Sequence, residues 1–215
     1  MIGALRSKIK PFTRIVAKPI AATGINPLLL IAFAVFLAII ADYFIIQKEF
    51  TMAFILVFFA VSIDLFDGSV AELQGKKSLF SNYFENIIDR IIEMVLFFGT
   101  AILYPIASIF ALGFSLLVSY AKPRVGLVII TDNRDWPSIG EHAERNILVL
   151  IGLLLSIFSI KLFNISILEV FLWLIAVISF VGTIQRIFYA KKLIEEAKKK
   201  GNILPYLKSS SKRHK

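Results

Sequence analysis

Apolar runs long enough to cross a bilayer recur along this chain, and they constrain its fold more than any other feature. The stretches 27–46, 51–73, 79–104, 106–130, 142–160 and 167–190 are dominated by Ile, Leu, Val, Phe and Ala. A membrane-spanning helix needs about 20 such residues, and only helices or closed barrels satisfy their own backbone in hydrocarbon. With 58% hydrophobic residues, 20 Phe and a mean hydropathy of +0.80, the chain is too apolar for an ordinary soluble domain. The expected fold is an all-α integral membrane protein: six transmembrane helices preceded by an amphipathic interfacial helix.

Three regions follow. Residues 1–22 mix Ile, Leu and Phe with Arg6, Lys8, Lys10, Arg14 and Lys18, the pattern of a helix lying on a membrane surface. Pro11 and Pro19 predict that it bends or starts late. This basic start lacks the short apolar core of a cleaved signal peptide. Residues 23–190 carry the six spans, and 191–215 form a basic tail that continues briefly as helix. Cysteine is absent, which excludes disulfides and thiolate metal sites.

The formal charge of +9 is unevenly placed. Of 24 Lys and Arg, only Lys48 and Lys161 fall in connections on one side of the six-span topology. The rest lie in the termini, in the 75–78 and 131–141 connections, or at span ends beside them. By the positive-inside rule that side is cytoplasmic. The expected location is the cell membrane with both termini cytoplasmic. The basic excess is assigned to membrane lipid headgroups rather than to nucleic acid.

Four acids interrupt the apolar pattern: Asp64, Asp67, Glu85 and Asp89. Asp64 and Asp67 are three apart and Glu85 and Asp89 four apart, so each pair shares a helix face. The pairs lie about eight residues either side of the Gly75-Lys76-Lys77 turn, which puts them at similar depth on antiparallel neighbours. Closely spaced carboxylates resist joint ionisation, and bound divalent cations remove the conflict. An all-oxygen set suits Mg²⁺ or Mn²⁺, and two such ions suit phosphoryl chemistry. Gly68 and Ala71 leave a bare patch beside the acids. Small residues in membrane helices usually serve helix packing; flanked by acids, they also make a ligand slot. Intramembrane acids can alternatively belong to a cation or proton transporter. That reading calls for polar residues through the whole membrane depth, and the outer halves of these spans are almost purely apolar.

Asp64, Asp67, Gly68, Ala71 and Asp89 stand in the register of D-x2-D-G-x2-A-R-x8-G-x3-D-x3-D, and the chain so resembles the CDP-alcohol phosphotransferases. The basic first helix, the six spans, Ser119-Tyr120-Ala121-Lys122-Pro123-Arg124 and Glu141-His142-Ala143-Glu144-Arg145 extend the likeness over nearly the whole sequence. Glu72, Ser81 and Glu85 depart from the pattern's Arg, Gly and Asp; Lys76 or Lys77 could compensate for Glu72. The resemblance implies transfer of a phosphatidyl-type group, on diacyl or ether lipid, from a CDP-linked donor to an alcohol, releasing CMP. It implies that Asp64, Asp67, Glu85 and Asp89 hold the metals, that Asp89 is the base, and that Gly68 and Ala71 admit the CDP moiety. It also implies a homodimer. A divergent, inactive member is the other outcome that Glu72 leaves open.

Lys122, Arg145 and Arg186 come from spans four, five and six at the depth of the acids, with Arg124 a weaker fourth. Singly they suit snorkelling or pairing, Arg145 with Glu141 or Glu144. Together they suit a phosphate pocket, and with the resemblance they point to a small phosphorylated polyol as acceptor, inositol phosphate before glycerol phosphate. Arg90 and Glu93 read as an internal i,i+3 pair, His142 as a polar helix-start residue rather than a ligand, and Trp136 and Trp173 as interfacial or lipid-facing anchors. Asn26 and Pro27 suit either a helix start or the border of the slot.

Overall fold

A computed structural model of the chain describes residues 2–131, 136 and 139–205, with side chains from residue 11 onward. It contains seven α-helices and one two-stranded hairpin among these residues. Helix α1 (Ile2–Ala22) passes unbroken through Pro11 and Pro19. Asn26 then caps α2 (Pro27–Ile46): its side chain accepts from the Leu28 amide at 3.0 Å, and Pro27 occupies the first turn. Helix α3 (Phe50–Leu73) ends in a turn at Gly75, φ +64°. Ser78 and Ser81 form a reciprocal cap that starts α4 (Leu79–Leu103). Ser81 therefore has a helical role and no need of positive φ. Pro105 opens α5 (Pro105–Val125), and Glu141 with Glu144 caps α6 (His142–Ile157).

The connection after α6 is a hairpin. Strands β1 (Lys161–Leu162) and β2 (Ile165–Ser166) pair antiparallel, with Phe163 and Asn164 both at positive φ between them. Helix α7 (Ile167–Lys200) follows and stops at Gly201, φ +72°, after three lysines that favour a helix C-terminus.

The helices pack in a closed circuit: α2 on α4, α4 on α5, α5 on α7, α7 on α6, α6 on α3, and α3 back on α2. Helix α1 lies outside the circuit, against α3. Consecutive α3 and α4 touch little, because α2 packs between them. Ala34, Ala38 and Ala41 of α2 share a buried cluster with Ala53 and Val57 of α3, where small side chains let backbones approach. Outward-facing residues such as Phe33, Phe36, Phe59, Phe98, Ile109 and Phe188 are exposed, an apolar perimeter suited to lipid.

Four helices, α2, α3, α5 and α7, are long and apolar enough to cross a membrane. Four of the expected six spans thus meet the requirement of length and composition. Helix α4 carries Glu85, Asp89, Arg90 and Glu93, and α6 has 16 residues, about 24 Å at helical rise against a hydrocarbon core of about 30 Å. Trp136 also corrects an expectation. It is no lipid anchor but is 7% exposed, edge-on to Tyr189 at 5.1 Å, in a small cluster with Val125, Ile129 and Ala197. Trp173 stacks obliquely on Phe110 and is half-exposed.

Candidate active site

Helices α3, α4 and α6 bring the acids together inside the circuit. Asp64 and Asp67 occupy one face of α3; Glu85 and Asp89 face them from α4. Donor atoms of Asp64, Asp89 and His142 lie within 4.8 Å of one another. Asp67 is 2% exposed. A Cβ built on Gly68 would sit 3.4 Å from Glu85 Oε1, so the Glu85 carboxylate lies directly against this part of α3.

A cavity of about 220 Å³ adjoins the acids. Asp67, Gly68, Ala71 and Glu85 line one part, Asn26, Pro27 and Ile31 another, and Lys76, Lys77, Ser78 and Ser81 a third. Gln74 sets the α1–α2 turn over it, donating to the carbonyls of Ala21 at 3.2 Å and Ile25 at 3.0 Å. Ser69 donates to Thr13 at 3.1 Å, and Arg14 lies 3.8 Å from Glu72. Glu72 thus engages α1, while the cavity's lysines come from the α3–α4 turn. Anionic and cationic walls face one space, the arrangement a metal-bound phosphate ligand calls for.

Behind the acids lies a second layer. Glu93, 2% exposed, forms a paired contact with Arg145, which is 1% exposed: Nε meets Oε1, and Nη2 donates to Oε2 at 3.0 Å. Arg145 also donates to the Gly140 carbonyl and, at 3.3 Å, to Ser119 Oγ. Arg90 donates to Glu93 at 2.7 Å and to Ser119 at 2.7 Å. The expected Arg90–Glu93 pair is present. The expected pairing of Arg145 with Glu141 or Glu144 is replaced by Glu93, 52 residues earlier, because α6 packs with its first turn against the interior. Glu144 instead accepts from the amides of Gly140 and Glu141.

His142 is the residue sequence reasoning missed. It does start α6, as expected, but its Nε2 lies 3.4 Å from Asp64 Oδ2 and its Nδ1 3.8 Å from Glu93 Oε2. Its place directly after a cap residue, three positions before Arg145, carried no hint of Asp64. Arg186, 8% exposed, donates to the Val118 carbonyl and lies 3.9 Å from Glu141. Its Nε is buried without a partner among the described residues. Lys122 is half-buried at the end of α5 and Arg124 is exposed beyond it. Arg145 of α6 and Arg186 of α7 thus reach the layer behind the acids, with Arg145 the more deeply buried.

A family model described as CDP-alcohol phosphatidyltransferase matches residues 18–183. The chain belongs to this family. It is similar to the archaetidylinositol phosphate synthase of Pyrococcus horikoshii, 27% identical over 199 residues that span 91% of this chain and 99% of that one. The phosphatidylinositol phosphate synthase of Mycobacterium tuberculosis, solved with CDP-DAG bound, superposes with a TM-score of 0.68 at 25% identity, covering 83% of this chain and 92% of that one. The same enzyme solved with manganese and citrate gives a TM-score of 0.68 at 24% identity, over 83% and 88%. As a CDP-alcohol phosphatidyltransferase the chain is a transferase of phospholipid synthesis. The donor set fits the divalent cation that the family pattern implies: hard carboxylate oxygens converge, and the slot beside them is kept open at Gly68.

Proposed function

We propose that the chain transfers a phosphatidyl-type group, on diacyl or ether lipid, from a CDP-linked donor to the hydroxyl of inositol phosphate, with glycerol phosphate the second choice, and releases CMP. The observation that carries this reading is the cavity walled by Asp67, Gly68, Ala71 and Glu85 on one side and by Lys76 and Lys77 on another. The inositol-phosphate synthases among its relatives support the acceptor. Asp64, Asp67, Glu85 and Asp89 would hold divalent cations, Mg²⁺ or Mn²⁺ and two in number. Bound there, they supply Lewis-acid polarisation of the donor phosphates and neutralise charge on the departing CMP.

The chain's own groups do the rest. Gly68 and Ala71 admit the nucleotide, and Lys76 and Lys77 face its phosphates. Asp89 accepts the proton of the attacking hydroxyl as its oxygen bonds to the lipid-side phosphorus and the pyrophosphate P–O bond breaks toward CMP. Lys122, Arg145, Arg186 and Arg124 hold the acceptor phosphate. The unpartnered Nε of Arg186 suits this role; Arg145 is enclosed, so a phosphate touches it only if Glu93 or Ser119 shifts.

In the membrane, α4 and α6 complete a six-span bundle, their polar groups shielded inside the circuit. The active site and both termini lie on the cytoplasmic side, where a water-soluble acceptor meets a lipid donor. The residues divide into a surface helix, 1–22, a transmembrane catalytic domain, 23–190, and a basic tail, 191–215.

The test is mass-spectrometric product identification with purified chain, Mn²⁺ or Mg²⁺, a CDP-linked diacyl or ether lipid, and inositol phosphate or glycerol phosphate in competition. The expected product is the inositol phosphate ester in excess. Glycerol phosphate product alone would overturn the acceptor assignment.

A further inference from the structure

The acid cluster has a nitrogen beside it. The ring of His142 enters between α3 and α4 from the first turn of α6, with Nε2 3.4 Å from Asp64 Oδ2. One donor atom each from Asp64, Asp89 and His142 fit within 4.8 Å of one another. Asn146 Nδ2 lies 3.1 Å from the same Nε2. An amide NH₂ only donates, so this contact calls for an unprotonated Nε2 and places the ring proton on Nδ1. Nδ1 is buried, without a hydrogen-bond partner among the described residues, and faces Glu93 Oε2 at 3.8 Å. Nε2 therefore faces Asp64 and Asn146, and Nδ1 faces the carboxylate of Glu93.

That is the order of groups in which histidine binds metal: one nitrogen on the ion, the other donating to a carboxylate that fixes tautomer and ring angle. Glu93 is itself anchored by Arg145 and Arg90, so the backing group is held in place. Asn146, the other group at Nε2, is a weak competitor for an ion.

We propose that His142 Nε2 is a ligand of the divalent cation beside Asp64 and Asp89, and that this nitrogen makes the site prefer Mn²⁺ to Mg²⁺. The inference rests on the metal-dependent reading above. Mg²⁺ demands oxygen ligands, whereas imidazole suits first-row transition ions.

The experiment is pulsed electron paramagnetic resonance on Mn²⁺-loaded chain, purified in detergent without donor or acceptor. The chain has two histidines, His142 and His214. The expected result is nitrogen-14 coupling to Mn²⁺ that changes to nitrogen-15 coupling when only histidine is labelled, a readout that needs no variant. The coupling survives His214→Gln and disappears in His142→Gln. His142→Gln also lowers Mn²⁺ affinity about tenfold or more, on the scale of metal-site substitutions, and leaves Mg²⁺ affinity unchanged. Bound Mn²⁺ whose signal ignores the histidine label would overturn the inference and leave the carboxylate site standing; a protonated His142 bridging Asp64 and Glu93 would give that result. A chain that binds no Mn²⁺ at all would overturn the metal-dependent reading and this inference with it.

Discussion

The proposed chemistry turns on Asp89. Replacing it by Asn keeps its shape and removes its capacity to take a proton. Asp89→Asn should lower kcat by about 10²–10⁴-fold while CDP-lipid still binds, measured by CMP release beside a direct binding assay; full turnover would remove Asp89 from the base role. Gly68 tests the slot separately. An added Cβ meets Glu85 Oε1 at 3.4 Å, an ordinary contact, so the fold should tolerate Gly68→Ala. The lost space should still raise the donor KM roughly tenfold, within the 1–3 kcal/mol typical of overpacking. Unchanged donor KM would show that the nucleotide does not use this patch. The acids were legible in the sequence because their spacing is local: pairs three and four apart on consecutive helices, each out of place in an apolar segment. His142 and the Glu93–Arg145 pair were not. Their partners lie far away in sequence, and only the closure of α6 onto α3 and α4 brings them together.

At the scale of elements, two junctions hold the site in register. Gly140 has φ +71°, and a Cβ there would come 2.8 Å from the Ile178 carbonyl of α7. Its own carbonyl accepts from Arg145. The start of α6, and with it His142, therefore depends on a residue without a side chain. The other junction is the buried Glu93–Arg145 contact between α4 and α6. Glu93→Leu leaves the buried Arg145 without its acid and should cost about 3–5 kcal/mol, the scale for breaking a buried pair. Adding Arg145→Met should recover part of that loss in thermal unfolding of the detergent-solubilised protein. A single variant as stable as the parent would show that the pair is not structural. A third contact binds α2 to α4 nearer their far ends. Gly99 makes room for the buried Asp42 carboxylate, onto which an added Cβ would fall. Gly99→Ala should destabilise by about 1–3 kcal/mol, and Asp42→Ala in the same chain should relieve it. Helix existence was readable from the apolar runs and the Asn26–Pro27 start signal. The limits of α6 were not, because the residues after Ile157 stay apolar while the backbone turns into the β1–β2 hairpin.

At the scale of the whole molecule, the closed circuit of helices explains how so many charges coexist with an apolar exterior. Polar groups of α3, α4, α6 and α7 face inward, and Phe, Ile and Leu face out. The orientation proposed for this bundle can be tested cleanly because the chain has no cysteine. Lys161→Cys should react with an impermeant maleimide on intact cells, and Lys77→Cys only after lysis; the reverse pattern would invert the topology. The central claim, metal-dependent phosphatidyl transfer at the α3–α4–α6 junction, is tested most directly by CMP release. Purified chain stripped with EDTA should release no CMP from a CDP-linked lipid and inositol phosphate. Mn²⁺ or Mg²⁺ should restore release in step with lipid product, and Asp67→Asn should abolish the restoration. CMP release that is indifferent to EDTA and to Asp67, or its absence with every metal and acceptor, would contradict the account.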